Sequence, residues 1–324
     1  MNQAAASALA VLGVALLIDL LAGEYPAPLH PVVWMGAVTS ALLRLAPAAG
    51  WWRQFLFGAF LTIGTVAFWT AAAVLVMRIP LGALFVGLLP AALLLKASFA
   101  LRELGAAAER VRRPVEAGDL PAAREALRAL CSRDPSQLDA EALLAATIQS
   151  LAENASDSFV APLLYYVLAG VPGAIAYRAV NTLDAMIGYR GKYEALGKFA
   201  ARLDDVANLW PARLTAGLLL LAGWLTRKDV AAGWRVLCRD GANTPSPNGG
   251  PPMAVMAGLL GVRLEKKGAY ALGDARTPVT SYAVRDAEHL VALTGWLMAG
   301  LCALCVVGVH ALWAAGFRFS SPVR

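Results

Sequence analysis

The chain has 324 residues, of which 59% are hydrophobic and only 15% charged, against about 25% charged in an ordinary soluble domain. With a mean hydropathy of +0.59, this excludes a typical soluble enzyme and points to one polytopic membrane bundle rather than two globular domains. The formal charge of +6 fits basic cytoplasmic loops or anionic ligands, whereas no basic segment is interleaved with aromatics, which argues against nucleic acid as a partner.

A membrane-spanning helix needs about 20 mostly apolar residues. Residues 4–21 meet this, and with no basic n-region ahead of them they are expected to be a retained helix, not a cleaved signal. Residues 55–77 and 81–101 form a second and third span, joined by a tight break at Arg78-Ile79-Pro80. Lys96, near one end of its helix, is expected to snorkel to the interface. Residues 102–131 read as a soluble helical pair: Pro114 starts a turn-like element, and Asp119 before Pro121 suits an N-cap with proline in the first turn. Residues 159–176, with Pro162, Pro172 and two glycines, and residues 214–225 are short apolar stretches that lie on the interface, re-enter or pack inside protein as readily as they span. Residues 290–317 form a last span. No stretch alternates with period two, so the expected fold is an all-α, polytopic integral membrane helical bundle of about four to six membrane segments with cytoplasmic helical loops. It is expected to form one domain over 1–324, with 102–158 as a cytoplasmic helical insertion and 177–289 as the motif-rich active-site region.

Arginines crowd residues 102–149 and 227–285, and Arg44 and Arg53 follow the first helix. The positive-inside rule puts all three regions in the cytoplasm; Arg318 and Arg324 pull the other way. The two large loops share a side only if both or neither of the doubtful segments span, and a shared active site favours neither. Cys302 and Cys305 sit inside an apolar helix and read as small buried hydrophobes. His30, His289 and His310 are too scattered to be a ligand set.

Four polar groups carry the candidate chemistry. Asp19, Glu24 and His30 cluster after the first helix, where Asp19 serves equally well as a cap or anchor. Arg133 precedes a second group, Glu153, Asn154 and Asp157. Glu153 and Asp157 are four apart, so a helix puts both carboxylates on one face, where they suit Mg²⁺ and substrate phosphates; helix capping by Asn154 or Asp157 is the competing role. The third is the densest: Arg178, Asn181 and Asp184 share one helical face, Asp204 and Asn208 another, with Asp205, Arg202 and Arg213 beside them. So many ionisable groups beside apolar segments mark a functional site, and Arg side chains suit phosphate or carboxylate; a purely structural Arg–Asp network is the alternative. The fourth is the turn-rich loop at residues 240–252 with Ser246 and Asn248. No P-loop is present: the run from Gly188 to Tyr193 has the wrong spacing and lacks the final Ser or Thr.

The motifs SRD at residues 132–134, AEN..D at 152–157, YRAVNTLDAMIGY at 177–189, ARLDDVANLWPARL at 201–214 and SPN at 246–248 resemble the CobD/CbiB family of cobalamin biosynthesis. The run from Asp19 through HPV.WMG to Gly36 fits too. The basic residue that usually precedes SPN is missing here. The resemblance implies adenosylcobinamide-phosphate synthase, an inner-membrane ligase; the parity of the doubtful segments puts its active site on the cytoplasmic side. Such enzymes join adenosylcobyric acid, a corrinoid, to (R)-1-aminopropan-2-yl phosphate, an amino-alcohol phosphate, or to a related amino alcohol, forming an amide at the expense of ATP. It implies ATP and Mg²⁺ as cofactors. Lipid and other late cobalamin-pathway membrane enzymes are the implied partners. On that reading Glu153, Asp157, Asp184, Asp204 and Asp205 bind Mg²⁺ and phosphate, and Asp184, Asp204 and Asp205 are catalytic. Arg133, Arg178, Arg202 and Arg213 clamp anions, and Asn154, Asn181, Asn208, Ser246 and Asn248 orient substrates. The rival class is a transporter of a polar metabolite, with these residues lining its pathway; no inverted repeat is evident, and the motifs sit near loops. A non-catalytic membrane sensor of the AmpE sort is the second alternative, and it has no need of the Asp204-Asp205 pair.

Overall fold

The computed structural model of the chain describes residues 3–78, 84–131, 133–189, 191 and 193–314; of these, 84–87 and 310–314 are described by backbone alone. The helices in order are α1 (Gln3–Ala22), α2 (Pro31–Leu43), α3 (Trp51–Met77), α4 (Leu84–Ser98), α5 (Leu101–Glu116), α6 (Leu120–Leu127) and α7 (Ala140–Ala155). A π-helical turn at Ser156–Val160 leads into α8 (Ala161–Ile187), followed by α9 (Lys198–Ala207), α10 (Leu209–Leu225), α11 (Val230–Asp240) and α12 (Gly250–Leu260). A hairpin, β1 (Leu264–Lys266) and β2 (Tyr270–Leu272), precedes the long α13 (Ser281–Ala314). The Ile79-Pro80 break, Ser132, Arg190, Lys192, Arg318 and Arg324 lie outside the described residues.

The all-α bundle is as expected. Among the described residues four apolar stretches are long enough to cross a membrane: Gln3–Ala22, Trp51–Met77, Ala140–Ile187 and Ser281–Val309. A fifth arises if α9 and α10, bent by 43° at Asn208, count as one span. Their outward residues are large and apolar, among them Phe60, Phe68, Leu75, Trp224 and Leu304. Exposed side chains of this size suit lipid rather than water.

Among the described residues, two large cores and two smaller clusters make up the interior of the bundle. In one large core, Leu12, Ala92, Leu95, Phe159, Leu163 and Cys302 pack α1, α4, α8 and α13 together. The other is built around the almost wholly buried α12 and joins α7, α10 and the hairpin through residues such as Ile148, Leu219, Met256 and Leu272. The continuous line of α7, π turn and α8 passes from one core to the other.

The doubtful 159–176 segment is helical but broken. Ala169 and Gly170 leave helical geometry, Gly170 with φ of +66°, a value that favours glycine. Pro172 follows, and backbone groups freed at such a break are tolerated only inside protein.

Three expectations need correction. The two strands are only three residues each, too short to leave a period-two signature. Pro114 lies inside α5 instead of starting a turn; burial of Val115 against both Val111 and the α12 core carries the helix past it. Asp119 does cap α6, accepting from the Ala122 N–H at 3.0 Å. Lys96 does not snorkel. Its side chain is fully buried, 3.2 Å from Asp19 and 2.6 Å from Glu24, because two carboxylates, one in the last turn of α1 and one just after it, offer a better partner than the interface. Asp19 is therefore an ion-pair partner, and its second oxygen accepts from the Arg102 N–H at 3.1 Å.

Candidate active site

The site forms where the two cores meet. Glu153 ends α7, Asp157 lies in the π turn, and Asp184 lies in the last turn of α8. A π turn inserts a residue and re-aims the side chains that follow; here it directs Asp157 towards α9. Asp204, Asp205 and Arg202 come from α9, and Asn208 from the bend between α9 and α10. Ser246 and Asn248 come from the loop before α12. All nine line one cavity of about 400 Å³ together with Tyr189 and Lys198. The carboxylates of Glu153, Asp157, Asp184 and Asp204 act on one another electrostatically, so the cavity favours a positive charge.

Hydrogen bonds fix this wall. The buried Tyr177 hydroxyl donates to Asn208 Oδ1 at 2.8 Å, and Asn208 Nδ2 donates to Asp204 Oδ2 at 3.0 Å. Asn181 Oδ1 accepts from Arg178 at 3.4 Å. The other oxygen, Asp204 Oδ1, is buried with no partner. A buried carboxylate oxygen left unpaired is costly, which makes Asp204 a candidate ligand-binding group.

The loop is pinned from the opposite side. Asn248 Nδ2 donates to the Asp205 carbonyl at 2.7 Å, and Arg213 donates to Asn248 Oδ1 at 2.9 Å. Gly249 brings the backbone close to Glu153: a Cβ there would lie 2.8 Å from Glu153 Oε1.

A second cavity of about 600 Å³ shares Glu153, Asp157, Asp184 and Ser246 with the first and adds Arg133, Asn154 and Asn181. Asn154 is bonded to its own helix, donating to the Ser150 carbonyl at 2.9 Å. Arg213 instead lines a third cavity of about 690 Å³, together with Arg202 and Pro245. Arg178 lines none of these. It lies behind the wall, in electrostatic reach of Asp157 and Glu24, with its Nε unpartnered. Thus Arg178 and Arg213 support the site from behind, while Arg133 and Arg202 are the predicted arginines that reach a shared cavity. Burial works to raise the Glu24 pKa, but hydrogen bonds from His30 and Lys96 outweigh it and hold the carboxyl below its ordinary value.

Among the described residues, no group of three or more His, Cys, Asp or Glu side chains is arranged to hold a metal ion by itself. The five carboxylates therefore form no closed cage. Their hard oxygens, with Asp204 Oδ1 unpartnered, still fit Mg²⁺, which commonly takes one or two carboxylates and completes its shell with substrate phosphates and water.

Lys198, Gln149, Lys266 and Tyr270 line one or other of the two cavities but carry no sequence signal of their own, and Tyr189 lines both. Tyr189 ends a motif already noted. Lys266 and Tyr270 belong to the hairpin that is too short to read. Burial pushes the Tyr270 phenol up to about 12, so it remains a hydrogen-bond donor at neutral pH.

The family model described as CobD/Cbib protein matches residues 12–298. The chain is 44% identical over 266 residues to a protein of Dehalococcoides mccartyi named cobalamin biosynthesis protein CobD, covering 82% of this chain and 86% of that one. A probable cobalamin biosynthesis protein CobD of Pyrococcus abyssi is 45% identical over 270 residues, 81% of this chain and 84% of the relative. A CobD of Chromobacterium violaceum is 41% identical over 317 residues, 93% of this chain and 98% of the relative. No solved structure matches the chain.

Proposed function

This chain belongs to the CobD/CbiB family, and from that premise we propose that it is a membrane ligase of cobalamin biosynthesis. It joins adenosylcobyric acid to (R)-1-aminopropan-2-yl phosphate and consumes ATP. The observation that carries this reading is the shared carboxylate wall with an unpartnered Asp204 oxygen, flanked by two cavities that each present basic side chains.

A carboxylate is a poor electrophile, so amide formation needs activation. Transfer of the γ-phosphoryl group of ATP to the corrinoid's propionate gives an acyl phosphate and ADP. The amine then attacks the acyl carbon, the C–O bond to phosphate breaks, and inorganic phosphate leaves. The nitrogen loses a proton, and the carboxylate wall supplies acceptors for it. Mg²⁺, when bound, would neutralise charge on the transferred phosphoryl group; Asp184, Asp204 and Asp205, which line the 400 Å³ cavity, are the residues that would hold it. Arg202 and Lys198 in one cavity, and Arg133 in the other, supply cationic contacts for anionic substrates. The Tyr177–Asn208–Asp204 hydrogen bonds keep Asp204 in place through both steps.

We assign the site to the cytoplasmic side, where ATP is available and where the arginine-rich loops belong. The test is incubation of the purified protein with adenosylcobyric acid, (R)-1-aminopropan-2-yl phosphate, ATP and Mg²⁺, followed by mass spectrometry. A product joined by an amide, with stoichiometric ADP, is expected; no product in an active-folded preparation would overturn the reading.

A further inference from the structure

The 600 Å³ cavity presents both signs of charge. Arg133 and Lys266 line it, and so do Glu153, Asp157 and Asp184. Arg133 and Lys266 both act electrostatically on Glu153, so the two signs lie close together. Neither cation is held in an ion pair with a described residue, whereas Arg128 at the same cavity is paired with Glu125 at 3.2 Å.

The basic side is built by Gln149, which is only 2% exposed. Its Nε2 donates to the Glu265 carbonyl at 3.2 Å, tying α7 to the hairpin. Its Oε1 accepts from the Arg133 guanidinium and from the Tyr270 hydroxyl, the latter at 3.3 Å. Lys266 stands directly opposite Tyr270 in the hairpin register, so the two side chains leave the same side of the ribbon. One buried amide thus sets the positions of an arginine, a phenol and the strand that carries a lysine.

We propose that this cavity binds a short zwitterion, an aminoalkyl phosphate, with its phosphate on Arg133 and Lys266 and its ammonium on Glu153 and Asp157. The proposal rests on the ligase reading above and assigns a subsite to its amine substrate. Charge decides among ligands. A polyphosphate would bring several negative charges to a cavity that already holds three carboxylates. A lone phosphate would leave those carboxylates uncompensated. A ligand with both charges a few bonds apart answers both sets of groups and leaves the adjoining 400 Å³ cavity across the shared wall for the second reaction partner.

The test is titration calorimetry on the whole protein in lipid nanodiscs, without ATP or corrinoid. Saturable binding of 1-aminopropan-2-yl phosphate is expected, with 1-amino-2-propanol and inorganic phosphate each at least about tenfold weaker, since each loses one charged contact. Lys266 is exposed, so Lys266→Ala leaves the fold intact; it is expected to weaken the aminoalkyl phosphate about tenfold, and Lys266→Arg to restore most of the affinity. Two results would overturn the subsite: unchanged affinity in both Lys266→Ala and Arg133→Ala, or loss of ATP binding in Lys266→Ala while the aminoalkyl phosphate binds as before. Either could occur in a protein that still forms the amide, which leaves the ligase reading standing. A protein that binds the zwitterion through Lys266 yet never forms amide keeps the subsite and discards the ligase.

Discussion

Asp204 has two oxygens in different circumstances: one accepts from Asn208 at 3.0 Å, and the other is buried without a partner. Asp184 and Asp205 flank the same cavity. Asp→Asn keeps their size and removes their charge, which separates electrostatic function from packing. Asp184→Asn and Asp205→Asn are expected to abolish amide formation while membrane insertion remains intact; full activity in both purified variants would remove the carboxylate model. Lys96 sets a different problem. It is fully buried between Asp19 and Glu24, so Lys96→Met leaves the buried Asp19 carboxylate uncompensated. Breaking a buried pair from one side costs about 3–5 kcal/mol. A clear fall in the thermal midpoint of the detergent-solubilised protein is expected, and an unchanged midpoint would show that Asp19 finds another partner. Motifs in the sequence named Asp204 and Asp205, but not which oxygen lacks a partner, because that depends on Asn208 and Tyr177, four and 27 residues away in the chain.

At the scale of elements, attachment of the hairpin decides whether the second cavity is closed on one side. Gln149 ties it to α7, and Asp240 at the end of α11 accepts from the Gly273 N–H at 2.8 Å, just after β2. The Arg239 guanidinium, with help from that N–H, holds the Asp240 carboxyl below its ordinary pKa. Because the folded-state pKa lies below the unfolded one, this anchor is fully present above the unfolded value, about 3.9, and is lost as pH falls through the lower folded value. Amide hydrogen exchange in residues 264–273 is therefore expected to keep its protection at pH 6 and to lose it selectively at or below about pH 3. Asp240→Asn should show the loosened pattern at both pH values. The broken helix α8 belongs to this scale as well. Its glycine and prolines were visible as an interruption in an apolar run, and the interruption is real, but whether the chain turns back or continues depends on what packs around Gly170.

Across the whole molecule, the site sits at the seam between two cores, and the same line of helix, π turn and helix contributes Glu153, Asp157 and Asp184 to it. The loop at Gly191 lies between Asp184 and the α9 carboxylates, so its side of the membrane is the side of the site. A reporter fused at Gly191 is expected to read cytoplasmic; a periplasmic signal would overturn the cytoplasmic assignment and with it direct access to cellular ATP. The fold class was legible because a chain with 15% charge and repeated apolar runs can satisfy its backbone in lipid only as helices or a closed barrel, and no period-two pattern supported a barrel. The candidate site was legible in outline because carboxylates and arginines beside such runs are expensive to keep.

The sequence alone determined the helical membrane bundle, the order of its polar motifs and most of the carboxylates that converge, since composition and i, i+3 or i, i+4 spacing act locally. Only the tertiary structure decided which groups share a cavity. It moved Arg178 and Arg213 behind the wall, buried Lys96 in an ion pair, and brought the unheralded Lys266 and Tyr270 to Arg133 across more than 130 residues of chain. Those outcomes turn on long-range packing and on competition among partners for each buried charge, and neither leaves a periodic trace along the chain.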